Sequence, residues 1–160
     1  MKIREAAQSD LPFIVAANAA LASETEGQTL DGALLRPGVQ AVLDDPRLGR
    51  YHIAEVDGQA IGQLMTTCEW SDWRNGLFLW IQSVYVQPAH RSGGVFRALF
   101  GHLEALARED SRICGIRLYV DRGNRRAQGV YARLGMHRSN YRIMERVYRG
   151  PESHEEAPPC

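Results

Sequence analysis

The residues with the clearest chemical meaning form a short basic, glycine-rich loop, RSGGVF, which runs from Arg91 to Phe96. It follows an apolar stretch that stops before Pro88 and precedes a helix-like spacing of apolar residues from Val95. The first N–H groups of a helix have no internal partner and carry the positive end of its dipole, and glycines let an anion approach the backbone. The loop predicts a pyrophosphate site, although an ordinary turn before a helix explains the loop alone equally well.

The loop is positioned by the segments on either side of it. Residues 77–86 are a long apolar and aromatic run, which is typical of a buried strand. After the loop, apolar side chains recur on one helical face, at Val95, Leu99, Leu103 and Leu106. The spacing G-x-G-x-x-G of dinucleotide folds and the P-loop spacing are both absent from the sequence, so neither of those phosphate sites is predicted.

The rest of the chain alternates between strand-like and helix-like segments. Further strands are predicted over residues 2–6, 51–56, 60–68, 116–120 and 139–148, and further helices after Ser9, over 30–43 with an interruption at Pro37, and over 124–134. The dipeptide Asp57-Gly58 predicts a tight hairpin between the second and third of these strands. The order β-α-α-β-β-β-α-β-α-β predicts an α+β fold with a mixed, mostly antiparallel sheet and helices on both faces. Residues 1–149 are predicted to form one domain, and the Pro- and Glu-rich residues 150–160 a disordered tail.

Composition limits the classes of function. The 160 residues have a net charge of zero, but residues 1–80 hold 6 Lys and Arg against 11 Asp and Glu, and residues 81–160 hold 13 against 8. This asymmetry fits a protein that holds a cationic acceptor and a polyphosphate, and solvated surface charge explains it as well. The zero total argues against non-specific nucleic-acid binding, and no apolar stretch is long enough for a membrane span.

The three cysteines lack metal-ligand spacing, so no metal site is predicted. Their odd number and the lack of an apolar leader in the first residues are typical of a protein from a reducing compartment. We therefore expect a cytoplasmic protein.

The glycine-rich loop resembles the acyl-CoA loop of the GNAT family of N-acetyltransferases, whose pattern is [QR]-x-x-G-x-[GA]. Its first five positions are met by Arg91, Ser92, Gly93, Gly94 and Val95. Phe96 stands where the family usually has Gly or Ala. A second segment resembles the family element N-x-x-A-x-x-x-Y-x-x-x-G-[FM] through Asn124, Ala127, Tyr131, Gly135 and Met136. The two motifs lie in the family's order, and the resemblance covers roughly residues 2–148.

The resemblance implies acetyl-CoA as the cofactor. Backbone groups of Val84, Tyr85 and Val86 are then expected to hold its pantetheine arm, and residues 91–96 its pyrophosphate. Asn124 is expected to face the cofactor and Tyr131 to lie near the thioester sulfur. A tyrosine hydroxyl is protonated at neutral pH, so Tyr131 is the expected general acid for the leaving thiolate. A tyrosine that only packs on its helix is the alternative.

The general base and the acceptor contacts are less clearly indicated. Gln82 and Ser83 lie near the end of the central strand, where some family members have acidic residues, and neither titrates near neutral pH. Glu69 is the preferred base, although an exposed loop carboxylate explains it equally well, and Asp72 is the next candidate. The acceptor contacts expected for a cationic amine with an apolar body are Glu24, Glu26, Trp70, Asp72 and Trp73. Two of these, Glu24 and Glu26, also fit a solvated helix end.

The predicted function is direct transfer of an acetyl group from acetyl-CoA to a primary amine of a small molecule. A protein N-terminus or lysine is the second choice of acceptor. A non-catalytic acyl-CoA sensor or interaction module is the rival from another class, motivated by Phe96 and by the missing carboxylates on the central strand. The resemblance also suggests a homodimer through the last strand, which the sequence does not distinguish from a monomer.

Overall fold

The computed structural model describes residues 1–148, which divide into two compact units, Met1–Arg122 and the residues from Gly123 onward. The first unit contains a five-stranded sheet whose strand order follows the chain. Its strands are β1 (Lys2–Glu5), β2 (Arg50–Val56), β3 (Gln59–Ser71), β4 (Gly76–Val86) and β5 (Ile113–Leu118). Its helices are α1 (Leu11–Glu26), α2 (Gly32–Asp44) and α3 (Val95–Glu109), and the second unit contains α4 (Arg125–Arg133). The predicted α+β fold class is confirmed.

The sheet is antiparallel except for the parallel pair β4–β5. Since successive side chains of a strand point to opposite faces, β2 shows which helices cover each face. Ile53 packs with Leu11 of α1 and Val39 of α2, whereas the neighbouring His52 meets His102 of α3 at a ring-centroid distance of 5.2 Å. In the first unit, α1 and α2 therefore cover one face of the sheet and α3 covers the other.

The hairpin between β2 and β3 turns at Asp57 and Gly58, as the Asp-Gly dipeptide predicts. Both residues have positive φ, +50° for Asp57 and +78° for Gly58, which matches the right-handed twist of the two strands.

A bulge interrupts β4 near its end. Leu64 of β3 lies opposite Val84, and Thr66 lies opposite Ile81, so that Gln82 and Ser83 together face the single residue between them on β3. The extra residue keeps Ile81 and Val84 on the same face although they are three positions apart.

Several predicted elements differ from the structure, among them β3, which continues past its predicted end at residue 68 to Ser71. Helix α2 continues through Pro37, because packing of its apolar side chains against the core offsets the hydrogen bond that the proline removes. Strand β5 begins at Ile113, three residues before the predicted start, and ends at Leu118, two residues before the predicted end. The predicted last strand over 139–148 is not formed: the alternation of apolar residues there indicates which side chains share a face, but a strand also needs a ladder partner.

The predicted disordered tail, which includes Cys160, lies outside the described residues. Among the described residues, no helix is both long enough and apolar enough to cross a bilayer.

Candidate active site

The glycine-rich loop lies directly before α3 and has the backbone of an anion site. Ser92 and Gly94 both have positive φ, +66° and +80°, and Gly94 is the N-cap of α3. A Cβ atom built on Gly94 meets no heavy atom within 4 Å, so the space above the loop is open. The turn leads directly into α3, and the loop fits a diphosphate held by backbone N–H groups.

Phe96, the departure from the family pattern, does not disturb the turn. Its ring lies 6.1 Å from the ring of Phe100, one helical turn further along α3. The aromatic side chain therefore packs along the helix surface.

The end of β4 offers a backbone edge beside the loop. Strand β5 pairs with β4 only as far as Leu118, opposite Ile81, so within the first unit β4 continues to Val86 without β5 beside it. The Gln87 N–H donates to the Ile61 carbonyl of β3 at 2.9 Å. Because peptide groups alternate in direction along a strand, those of Val84 and Val86 point away from β3, to the open side. The peptide groups of Tyr85 point toward β3. Val84 and Val86, and not Tyr85, are therefore placed to hold the pantetheine arm through backbone groups.

Arg91 lies across this open edge. Its Nε donates to the Val86 carbonyl at 2.9 Å, and its Nη2 forms an ion pair with the Glu24 carboxylate at 2.6 Å. The guanidinium carbon lies 5.6 Å from the centre of the Tyr85 ring. Arg91, expected to contact the cofactor, and Glu24, expected to contact the acceptor, are therefore paired with each other.

Helix α1 is fixed to the sheet next to this pair by a buried polar chain. The Asn18 Nδ2 donates to the Tyr51 hydroxyl at 3.1 Å, and the Gln63 Nε2 donates to the Asn18 Oδ1 at 2.9 Å. Burial raises the pKa of Tyr51, and the bond from Asn18 opposes that rise. Gln63 lies opposite Tyr85 in the sheet, so this chain supports the strand on which Arg91 rests.

Glu69, the preferred general base, is held in a cluster of aromatic and cationic side chains. One carboxylate oxygen accepts from the indole N–H of Trp80, and the other forms an ion pair with Arg117 at 2.8 Å. The Arg117 guanidinium lies 3.6 Å from the centre of the Phe78 ring. Glu69 lies opposite Phe78 in the sheet, and Phe78 is five residues before Ser83 of the bulge. Glu69 is therefore roughly 16 Å along the strand from the bulge. The geometry favours a role for Glu69 in fixing Arg117 and Trp80.

The expected acceptor contacts fall at two ends of β4. Glu24 and Glu26 are exposed in the last turn of α1, near Val86, whereas Trp70, Asp72 and Trp73 surround the turn before Gly76. The exposed fractions of Trp70 and Trp73 are 58% and 86%. The length of β4 separates the two groups by about 30 Å, so one small molecule does not reach both.

The second unit carries Asn124 and Tyr131, the two site residues expected from the second motif. The Asn124 side chain caps α4 by accepting from the Ala127 N–H at 2.9 Å, so its amide oxygen has a local structural use. Tyr131 is half-buried in α4, and burial raises the pKa of its hydroxyl. The hydroxyl is therefore protonated at neutral pH, as a proton donor requires.

Two parts of the site were not predicted from the sequence. The Glu69 cluster joins β3, β4 and β5, and no local pattern marks it. Asn18 had a usable signal, since it follows Leu11 and Ile14 at helical spacing on the core face of α1, where a polar residue implies a buried partner. Within residues 1–148, no group of three His, Cys, Asp or Glu side chains is placed to hold a metal ion.

Comparison with known proteins gives a consistent result. The model of the acetyltransferase (GNAT) family matches residues 18–136. A possible acetyltransferase from Clostridium difficile 630 has 44% sequence identity and a TM-score of 0.88, and the match covers 93% of this chain and 98% of that one. No curated protein sequence matches the chain.

More distant solved structures share the fold. The aminoglycoside N-acetyltransferase AAC(6')-Iy, solved in complex with CoA, has 17% identity and a TM-score of 0.75, with 92% of this chain and 95% of that one covered. A ribosomal-protein-alanine N-acetyltransferase from Brucella melitensis biovar Abortus 2308 has 18% identity and a TM-score of 0.75, with 92% and 100% covered. Since one of these is named for a small-molecule acceptor and the other for a protein, the shared fold does not select the acceptor.

Proposed function

The chain belongs to the GNAT acetyltransferase family and is an acyl-CoA N-acyltransferase, and from this premise we propose that it acetylates the primary amine of a small cationic molecule directly from acetyl-CoA. The observation that carries the proposal is the open edge of β4 beside the start of α3. Val84 and Val86 present peptide groups to that edge, and the loop at Gly94 presents the helix N-terminus.

The residues present fit the cofactor. The backbone of Arg91 to Val95 would hold the diphosphate, and the edge groups of Val84 and Val86 would hold the pantetheine amides by extending the sheet. When bound, acetyl-CoA supplies an activated acetyl thioester. The N–H at the bulge, near Val84, is suited to stabilise the negative charge that develops on the carbonyl oxygen.

Two proton transfers accompany the reaction. Tyr131 would supply the proton that the leaving thiolate needs, because its raised pKa keeps the hydroxyl protonated. The amine must lose a proton before it attacks, and Glu69 with both oxygens engaged is poorly suited to accept it directly. We therefore propose that Glu69 fixes Trp80 and Arg117 and that the amine loses its proton to water.

A cationic acceptor is supported by the two carboxylates at the end of α1. Glu24 adjoins the loop through its ion pair with Arg91, and both Glu24 and Glu26 are exposed at this helix end. The aromatic loop around Trp73 is too distant to contact the same small molecule.

The experiment that tests this function has two steps. Thermal unfolding with and without acetyl-CoA is expected to show a raised melting temperature, since a ligand at a hundredfold excess over Kd adds about 2.7 kcal/mol. A panel of polyamines, amino acids and aminoglycosides is then assayed for free-thiol release, with an alanine N-terminal peptide as the protein-type acceptor. Release with a small amine supports the proposal, and release with the peptide alone overturns the acceptor class.

Binding of acetyl-CoA without turnover on the whole panel would favour the non-catalytic sensor. One observation favours that rival: both oxygens of Glu69 are engaged by other side chains.

A further inference from the structure

Arg91 joins two sides of the site through one ion pair, and this arrangement has a consequence for how they bind their ligands. We propose that CoA and Glu24 compete for the Arg91 guanidinium, so that binding of CoA releases the Glu24 carboxylate to a cationic acceptor. The inference rests on the proposed function, because it takes a diphosphate at the loop and an amine at the end of α1.

The position of Arg91 makes the competition direct. Arg91 is the first residue of the diphosphate loop. Its side chain donates a hydrogen bond to the Val86 carbonyl, on the open edge of β4, at 2.9 Å. That carbonyl is an acceptor that a pantetheine amide needs. A bound CoA would therefore displace the Arg91 side chain from Val86 and present two phosphate groups to it.

The pair with Glu24 is suited to exchange. The side chains of Arg91 and Glu24 are 36% and 41% exposed, so solvent screens their attraction and separating them costs little. Arginine binds phosphate oxygens through paired, charge-assisted N–H bonds, and a diphosphate carries more negative charge than one carboxylate. The guanidinium is therefore expected to move from Glu24 to the diphosphate.

The released carboxylate would need a new cation. Glu24 lies in the last turn of α1, where the helix dipole disfavours negative charge, and Glu26 adds a second negative charge two residues later. A protonated amine near this helix end would replace the charge that Arg91 supplied. By linkage, the amine and CoA would each strengthen binding of the other.

The test is the Kd of CoA, measured by isothermal titration calorimetry without any amine. The proteins are the wild type, Glu24→Gln, Arg91→Gln and the double variant, with Glu26→Gln as a control that removes the same charge from the same helix end. Glu24→Gln is expected to bind CoA about two- to fivefold more tightly, the size typical of one partly exposed ion pair. Glu26→Gln is expected to match the wild type, and Glu24→Gln is expected to have no effect in the Arg91→Gln background.

Four results would overturn the competition. Weaker CoA binding by Glu24→Gln would mean that Glu24 holds Arg91 in place for the cofactor, and an unchanged Kd would mean that the two do not compete. Equal tightening by Glu26→Gln, or tightening that persists without Arg91, would mean that only the overall charge matters. Failure of the wild type to bind CoA would instead remove the proposed function itself.

Discussion

Tyr131 is the side chain with the most specific chemical assignment. Replacing it by phenylalanine keeps the ring and removes only the hydroxyl, so Tyr131→Phe is expected to lower kcat about 10²- to 10⁴-fold, the usual contribution of a general acid. The Kd of CoA should stay unchanged. Steady-state kinetics with the best amine of the panel, together with calorimetry, separate the two effects. Full activity in Tyr131→Phe would leave the hydroxyl without a catalytic role.

Asn18 has a structural assignment that is equally testable. Asn18→Ala leaves the Tyr51 hydroxyl and the Gln63 amide buried without this partner, which is expected to cost about 1–3 kcal/mol of unfolding free energy. Urea unfolding followed by circular dichroism measures the loss. The control is Asn140→Ala at an exposed position, where the change should stay within about 0.5 kcal/mol. An equal loss in both variants would contradict the buried chain.

The start of α3 sits close to the sheet because Gly62 has no side chain. A Cβ atom on Gly62 would lie 3.0 Å from a methyl group of Val95 and 3.1 Å from the Tyr85 carbonyl oxygen. Gly62→Ala is expected to destabilise the protein by about 1–3 kcal/mol through overpacking. It should also weaken CoA binding, because Val95 belongs to the diphosphate loop.

A second glycine provides the control for that experiment. A Cβ atom on Gly101, inside α3, meets nothing within 4 Å. Gly101→Ala is expected to raise stability by about 0.5–1 kcal/mol, since alanine loses less backbone freedom in a helix, and to leave the Kd of CoA as it was. Thermal unfolding and calorimetry on both variants check the pair. Unaltered CoA affinity in Gly62→Ala would show that the loop does not depend on this close approach.

The elements that the sequence predicts well are those set by local chemistry. The Asp57-Gly58 turn and the loop before α3 each depend on a few adjacent residues, and both form as expected. Residues 139–148 show the limit, because pairing into a sheet depends on a partner that the segment does not contain. The same reason explains the Glu69 cluster: Glu69 and Arg117 lie 48 residues apart and meet only because β3, β4 and β5 are neighbours.

The whole molecule is expected to lose stability in mild acid. Burial, with the nearby charges of His102 and Arg50, lowers the pKa of His52 to about 4. In the unfolded chain a histidine binds a proton near pH 6.5, so between pH 6.5 and 4 the unfolded state binds more protons than the folded state. Stability should therefore fall by up to about 3 kcal/mol as the pH falls through that window, and should not depend on His52 above it.

Denaturant unfolding at a series of pH values tests this expectation. His52→Gln should flatten the dependence between pH 6.5 and 4, whereas His137→Gln, at an exposed position, should not. Below this window Asp10 contributes a second loss of stability. The hydrogen bonds from Arg4 lower the pKa of its carboxyl in the folded protein, so the unfolded chain takes up this proton at a higher pH than the folded protein does. A wild-type profile that is flat from pH 7 to 4 would contradict the buried, neutral state of His52.

The bulge in β4 contains one residue more than the strand needs to keep its side chains on the same faces. Ile81 and Val84 face the same side with two residues between them. Deletion of either Gln82 or Ser83 would therefore leave all the remaining side chains of the strand on their present faces. Such a deletion would straighten the strand and remove the bend beside the open edge. We expect such a deletion to keep the core and to remove the bulge N–H that is proposed to stabilise the reacting carbonyl oxygen, so that a protein that binds acyl-CoA without turnover remains.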